Sequence, residues 1–254
     1  MIIKENEFLL DIKGLTVYSK KNKKIIDNLS LVLKKNELSA IMGPNGSGKS
    51  TLTKTLIGDP QYVIKGGSVF FKNKSLLELN PEERAHAGIF LSFQYPSSLP
   101  GVSVSNFLKA SVQSKYLNDG RVFKLKDFYT KVFKFMDYLN LDRSFSTRQL
   151  NVNFSGGEKK KFEMLQMLLL EPKLIILDEV DSGLDIDALK ILSKVINLML
   201  KKECSILIVT HHGSFLEALD LKNVFVMSKG TVVKKGGPGL LTTLEKDGYS
   251  SIVK

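Results

Sequence analysis

Eight consecutive residues, Gly43-Pro44-Asn45-Gly46-Ser47-Gly48-Lys49-Ser50, have the types and spacing to hold the phosphates of a nucleotide. The glycines let the backbone curl so that its N–H groups converge on an anion. A helix opening at Lys49 adds the positive end of its dipole. Lys49 has the reach to bridge β- and γ-phosphates, Ser50 offers a hydroxyl to Mg²⁺, and Thr51 follows in the same turn. The motif G-x-x-x-x-G-K-S stands in the context it needs. An apolar run, Leu38–Met42, precedes it and a helical pattern, Lys49–Ile57, follows.

A second constellation lies far along the chain. Leu174-Ile175-Ile176-Leu177 is an apolar strand that ends in Asp178 and Glu179. Asp178 is placed to hold Mg²⁺, and Glu179 to polarise an attacking water. His211, after another apolar strand, has the chemistry of a γ-phosphate contact. Gln94, at the end of a short strand, offers an oxygen to Mg²⁺; a plain polar strand terminus is the lesser alternative. His86 and His212 have no neighbouring motif and read as surface residues. Ser155-Gly156-Gly157-Glu158 opens a helix, with Ser155 as a natural N-cap. Exposed N–H groups and a hydroxyl at such a terminus would also bind a phosphate. Inside one copy of the chain that phosphate has no evident source, so a second copy would have to supply it.

The elements that must position these residues are readable in outline. Phe8–Ile12 and Leu29–Leu33 read as early β segments, and Gly66–Phe71 as a turn and strand. Leu38–Met42, Phe90–Phe93, Leu174–Leu177 and Ile206–Val209 read as strands, the last two apolar on both faces as parallel strands require. Helical spacing runs from Val104 to about Leu141, then over Gly156–Leu170 and Ile186–Leu200. Val224–Met227 and Thr231–Val233 read as a hairpin. The expected fold is α/β: a nucleotide-binding core, an N-terminal antiparallel β layer and an inserted helical lobe. The expected organisation is one domain over residues 1–254, with its core at about 1–94 and 171–254 and the lobe at about 95–170.

Bulk composition bounds the alternatives. The hydrophobic fraction is 43% and the charged fraction 25%, as in ordinary globular proteins. No apolar run reaches the ~18–20 residues that span a bilayer, so no membrane insertion is expected. Met1–Glu7 reads neither as a secretory signal nor as a transit peptide. One cysteine, Cys204, excludes a disulfide framework and a cysteine-ligated cluster held by one chain. A reducing compartment follows: the cytoplasm, or the stroma of a plastid-type organelle for a chain that has lost a leader. The net charge of +11 gathers locally in Lys20–Lys24 and Lys159–Lys161. No aromatic residues interleave with these runs as a nucleic-acid stacking platform would require, so nucleic acid is not the expected partner.

Together these motifs resemble those of the ATP-binding-cassette ATPases. Within that resemblance Gly43–Thr51 is the Walker A loop, Gln94 the Q-loop, Ser155–Glu158 the signature and Leu174–Glu179 the Walker B strand. Ser182-Gly183-Leu184-Asp185 is the D-loop and His211 the switch histidine. The resemblance implies a nucleotide site shared between two chains, with Lys49, Glu179, His211 and Gln94 acting in hydrolysis. The loop residues with Ser155, Gly156, Gly157 and Asp185 would hold ATP. Ser50, Gln94 and Asp178 would hold Mg²⁺. Three stretches, Phe93–Pro96 with Pro100–Ser103, Phe154–Lys161 and Leu177–Lys190, are similar to the SufC ATPases of the SUF iron–sulfur cluster assembly system. That similarity implies SufB- and SufD-like scaffold subunits as partners. The pattern departs after His211, where His212-Gly213-Ser214 replaces the usual tyrosine and basic residue. No adenine-stacking aromatic is evident; Tyr18 is the nearest candidate.

Other readings stand beside this one. The chain would also suit the nucleotide-binding subunit of an importer whose membrane subunits are separate chains. Val180-Asp181, where transporter ATPases carry Pro-Thr, weighs against it. A non-catalytic nucleic-acid clamp would use the +11 charge; an intact Glu179 and His211 weigh against that. Finally, one of Lys159–Lys161 would be close enough to the signature to restrain Glu179 in the resting chain, or would simply pair on a solvated helix.

Overall fold

The computed structural model describes residues 7–93, 96–180, 184–210, 213–249 and 252. Its centre is a six-stranded sheet in the order β12-β11-β3-β10-β9-β6. In chain order these strands are β3 (Leu38–Met42), β6 (Ile89–Ser92), β9 (Leu174–Asp178), β10 (Ser205–Val209), β11 (Leu221–Ser228) and β12 (Thr231–Gly236). All are parallel except β12, which folds back on β11 as the outer strand. Every residue of β3, β9 and β10 is buried. Both faces of the sheet are therefore covered, which is why these runs are unbroken in apolar character.

The two faces meet different layers. Ile41, Ile176, Leu207, Val209 and Phe225 pack toward a second, antiparallel sheet. That sheet has the order β2-β1-β4-β5, from β1 (Phe8–Ser19), β2 (Lys24–Lys34), β4 (Tyr62–Phe71) and β5 (Lys74–Ser75). Helix α1 (Lys49–Leu56) inserts Leu52 and Leu56 into the same core. The alternate residues of the central strands, among them Ala40, Met42, Ile175, Leu177 and Ile208, pack on the other face. Their partners are α5 (Gly156–Leu170), α6 (Ile186–Lys201) and α8 (Gly239–Asp247). A short α7 (Ser214–Glu217) follows β10.

Between β6 and β9 the chain makes its helical excursion. The antiparallel strands β7 (Leu99–Ser103) and β8 (Gln149–Leu150) close its base. Helices α3 (Val104–Asn118) and α4 (Leu125–Tyr138) and the 3₁₀ turn Arg143–Thr147 fill it. Their apolar stripes, including Leu108, Phe128, Val132 and Met136, join one cluster with Phe162 and Leu165 of α5. Helix α5 is thus the beam common to the excursion and the sheet. The α/β fold with an N-terminal antiparallel layer and an inserted helical region agrees with the sequence reading. A helix that the reading omitted, α2 (Pro81–Ala87), is set by an Asn80–Glu83 capping box with Pro81 in the first turn. Among the described residues no helix is long and apolar enough to cross a membrane.

Candidate nucleotide site

The phosphate loop leaves β3 at Gly43 and enters α1 at Lys49. Gly48, the residue before the helix, has φ +104, a left-handed conformation that glycine adopts without penalty. Gly43 is needed for a different reason: a Cβ there would lie 2.2 Å from the carbonyl oxygen of Met227. The N-terminus of α1 carries no side-chain cap, so its first N–H groups remain for an anion. Within the loop the Ser47 hydroxyl is buried and has no hydrogen-bond partner. An uncapped helix start and an orphaned hydroxyl in one curl of backbone fit a phosphate group.

Lys49 is buried and folded back on its own loop. Its Nζ donates to the carbonyls of Gly43 at 2.7 Å and Pro44 at 3.1 Å. Burial lowers its pKa, and the carboxylates of Glu179 and Asp178 oppose that shift. The lysine is held among oxygen acceptors that phosphate oxygens can replace. Asp178, the last residue of β9, faces α1 across the sheet end. Its Oδ1 lies 3.4 Å from Ser50 Oγ and its Oδ2 3.0 Å from Thr53 Oγ1. Burial raises the Asp178 pKa, the Thr53 hydrogen bond lowers it, and neighbouring Glu179 raises it again.

A carboxylate and a hydroxyl converging at the end of a phosphate loop are hard oxygen donors. Mg²⁺ takes such a set, with one or two carboxylates and the substrate's own phosphates completing an octahedron. The residues present fit Mg²⁺; Ser50 and Asp178 would be the ones to hold it. Glu179 follows at φ +49, with its N–H donating to the Val209 carbonyl at 2.8 Å. Its side chain lines a cavity of about 680 Å³ together with Asn45, Gly46, Gly48, Lys49, Ser50 and Thr51.

The remaining predicted residues do not all gather there. Ser155 caps α5: its Oγ accepts the Glu158 N–H at 3.1 Å, and Glu158 returns the bond to the Ser155 N–H at 2.8 Å. Arg148 pairs with Glu158 and, with that backbone bond, holds its carboxyl below the usual glutamate range. Ser155 and Gly156 are exposed, and nothing stands within 4 Å of where a Cβ on Gly156 or Gly157 would lie. These three residues are not part of the cavity lining. Asp185 serves as N-cap of α6, accepting the Ala188 N–H at 2.7 Å, and also lies outside that lining. Gln94 and His211 lie outside the described residues, as do His212, Asp181 and the first two residues, Ser182 and Gly183, of the Ser182–Asp185 segment.

Several expectations need correction. Lys160 does not pair on a solvated face. It is 7% exposed, and its Nζ bonds Glu163 Oε2 at 3.0 Å and the Phe93 carbonyl at 3.2 Å. His86, read as a surface residue, is half-buried, with Nε2 2.9 Å from Ser114 Oγ. Tyr18 pairs with Lys24 across β1 and β2, beside the cavity that Lys24 lines, though not itself in that lining. Two contributors escaped the sequence reading. One is Thr53, one turn past Lys49 on the same face of α1, a spacing that would have marked it. The other is the β11–β12 turn, Lys229-Gly230, which closes over the phosphate loop and left no motif to find.

Comparison with known proteins fits this geometry. The family model for ABC transporters, ABC_tran, matches residues 26–182. A probable ATP-dependent transporter, ycf16, of Trieres chinensis is 46% identical over 243 residues, 95% of this chain and 96% of the relative. A probable ABC transporter ATP-binding protein of Streptococcus pyogenes serotype M18 is 42% identical over 246 residues, 97% and 95% of the two chains. Among solved structures, the ADP conformation of an ATP-binding cassette of an ABC transporter superposes with a TM-score of 0.76 at 26% identity, covering 97% of each chain. A dimeric cassette bound to ADP and Pi has a TM-score of 0.77 at 20% identity, covering 90% of this chain and 98% of that one; it shares the fold. With its phosphate loop, its paired acids and this kinship, the chain belongs to the ABC transporter family as an ATP-binding cassette, an ATPase.

Proposed function

We propose that this ATPase works as a head-to-tail pair and drives conformational change in a SUF scaffold complex that assembles iron–sulfur clusters. The observation that carries the pairing is the start of α5. Ser155 is capped from within its helix, yet its hydroxyl hydrogen and the space over Gly156 and Gly157 remain open. An N-cap oxygen that accepts one N–H can still donate its own proton to a phosphate. That terminus lies apart from the chain's own phosphate cavity, so the phosphate it suits belongs to a second copy.

In this reading the loop N–H groups and Lys49 bind ATP, with the ammonium leaving the Gly43 and Pro44 carbonyls for phosphate oxygens. Asp178 and Ser50 would hold Mg²⁺, which would supply positive charge to offset the negative charge of the phosphates. Glu179 orients water at the γ-phosphate, and His211 and Gln94 complete that end. Ser155, Gly156 and Gly157 of the partner copy close the site from the other side, with Asp185 near the junction. Hydrolysis removes the group that both halves bind, and the pair opens. The whole cassette spans 1–254, with the lobe at about 95–170 moving between the two states.

The scaffold role is supported by the SufC-like stretches at 93–96 with 100–103, at 154–161 and at 177–190, and by the single thiol. Cys204, the residue before β10, is buried, so a cluster must be carried by another subunit. SufB- and SufD-like chains would take the motion, in a reducing compartment. The test is a pull-down with Glu179→Gln and MgATP, read by mass spectrometry. Scaffold subunits are the expected catch. A multi-spanning membrane protein would instead make this chain the ATP-binding subunit of a transporter, a reading that the names of its relatives favour.

A further inference from the structure

The last helix ends against the nucleotide site. Helix α8 packs on the central sheet through Leu240, Leu241 and Leu244, all buried. After it the chain turns at Gly248, whose φ of +67 with ψ of 177 is a conformation that glycine alone adopts without strain. The Gly248 N–H closes the helix on the Leu244 carbonyl at 3.0 Å, and the Ile252 N–H donates to the Tyr249 carbonyl at 3.0 Å. Two side chains are thereby delivered to the site. Glu245 stands over Gly213, where a Cβ would lie 2.3 Å from its Oε1. That contact fixes the end of α8 against the segment that follows β10. Tyr249 packs its ring on the same core as α8, with its hydroxyl at the root of the phosphate loop.

The Tyr249 hydroxyl is buried, and among the described residues it has no hydrogen-bond partner. A buried hydroxyl left unpaired is destabilising, since it has given up water and gained nothing in return. Burial raises the phenol's pKa, so the proton stays on, and the Gly43 backbone is the polar group that opposes that rise. The hydroxyl therefore stands beside the Gly43 peptide with a donor and an acceptor unused. Gly43 itself is buried and held close to β11, where a Cβ on it would lie 2.2 Å from the Met227 carbonyl oxygen. Its carbonyl accepts from the Lys49 ammonium at 2.7 Å. Nucleotide binding draws that ammonium to phosphate oxygens and leaves the carbonyl buried without a donor. Two deficits then lie on neighbouring groups, a hydroxyl lacking an acceptor and a carbonyl lacking a donor.

We propose that Tyr249 is a positioning residue of the nucleotide site, whose hydroxyl closes a hydrogen bond with the Gly43 peptide as Lys49 transfers to the bound phosphates. The inference rests on the nucleotide-site reading above and adds to it a residue about 200 positions beyond the phosphate-loop motif. The bond forms only with nucleotide present, so it offsets the loss of the Lys49 contact in the bound form and leaves the empty form unchanged. The ring serves packing in both forms. In the empty chain a phenyl ring would pack as well, without the unpaired hydroxyl. Removing the hydroxyl alone should therefore weaken nucleotide binding without weakening the fold. One hydrogen bond between neutral groups corresponds to about a two- to twelvefold change in affinity.

The experiment compares the full chain with its Tyr249→Phe variant by calorimetric titration with MgADP, and follows thermal unfolding of both without nucleotide. MgADP engages the phosphate loop while the chain stays single, so pairing does not enter the affinity. The variant should bind MgADP about two- to twelvefold more weakly, and its empty form should unfold at the same temperature as the parent or higher. Equal or tighter binding by the variant overturns the inference and leaves the nucleotide-site reading intact. A lower unfolding temperature of the empty variant overturns it as well, whatever its affinity, because the hydroxyl then supports the fold and not the bound loop. A parent chain that fails to bind MgADP overturns the site reading itself, and the inference falls with it.

Discussion

Thr53 offers the sharpest test of how the metal carboxylate is tuned. It is fully buried on α1, and its single hydroxyl hydrogen is placed between Asp178 Oδ2 and the Ser50 carbonyl, each 3.0 Å away. Thr53→Val keeps the side-chain shape and removes that donor. A hydrogen bond to a charged group contributes about 1.5–3 kcal/mol. For a chain of this size each kcal/mol moves Tm by about 2–4 °C. The variant should therefore melt roughly 3–12 °C lower at neutral pH. The pH dependence has a definite sign. Burial already raises the Asp178 pKa and the Thr53 bond lowers it. Losing the bond lets the pKa rise further, so the carboxyl accepts a proton at a higher pH. Since Mg²⁺ needs the carboxylate, the acid limb of the ATPase pH profile should move to higher pH, most visibly at limiting Mg²⁺. The Tm deficit should shrink in acid buffer, where Asp178 is protonated in both proteins. Thr53→Ser should restore both readouts. An unmoved acid limb, together with a Tm deficit independent of pH, would refute the reasoning.

Other expectations follow from the same structure. Lys160→Met leaves Glu163, only 4% exposed, without its ion partner; it should lose about 3–5 kcal/mol in denaturant unfolding, with much of it regained in Lys160→Met/Glu163→Met. Gly230→Ala forces a methyl against the Ile25 carbonyl in a left-handed backbone, and nucleotide titration should show affinity for every triphosphate falling together. Burial pushes the Cys204 thiol up from 9.0 to about 12. The native protein should accordingly resist thiol reagents at pH 8 and yield one reactive thiol in denaturant. Because the folded pKa is the higher one, this thiol also favours the folded state less and less as pH rises above about 9.

Much of the architecture was legible because its signals are local. β3 and α5 begin and end where the sequence places them. The first is an unbroken apolar run, and the second is bounded by the Ser155–Glu158 box and by Glu171-Pro172. β1 and β2 extend well past their apolar cores, since irregular antiparallel pairing carries polar residues along with the ladder. The capping box of α2 was present in Asn80-Pro81-Glu82-Glu83, but the helix is too short for periodicity to reveal. At the site, the phosphate loop and Asp178 were readable as motifs. Thr53 and the Lys229-Gly230 turn were not, because their contributions depend on long-range packing against β9 and the loop. Lys160 was misread for a related reason: it stands in a lysine run that looks solvated, yet α5 turns that one position toward β6, where Glu163 and the Phe93 carbonyl await it.

The central claim is that one chain's α5 terminus completes another chain's phosphate site, and sedimentation of Glu179→Gln tests it most directly. With MgATP the variant should sediment as a pair, revert to single chains with MgADP, and remain single with MgATP when Ser155→Arg is added. A Glu179→Gln protein that binds MgATP yet stays a single chain at every concentration would contradict the account.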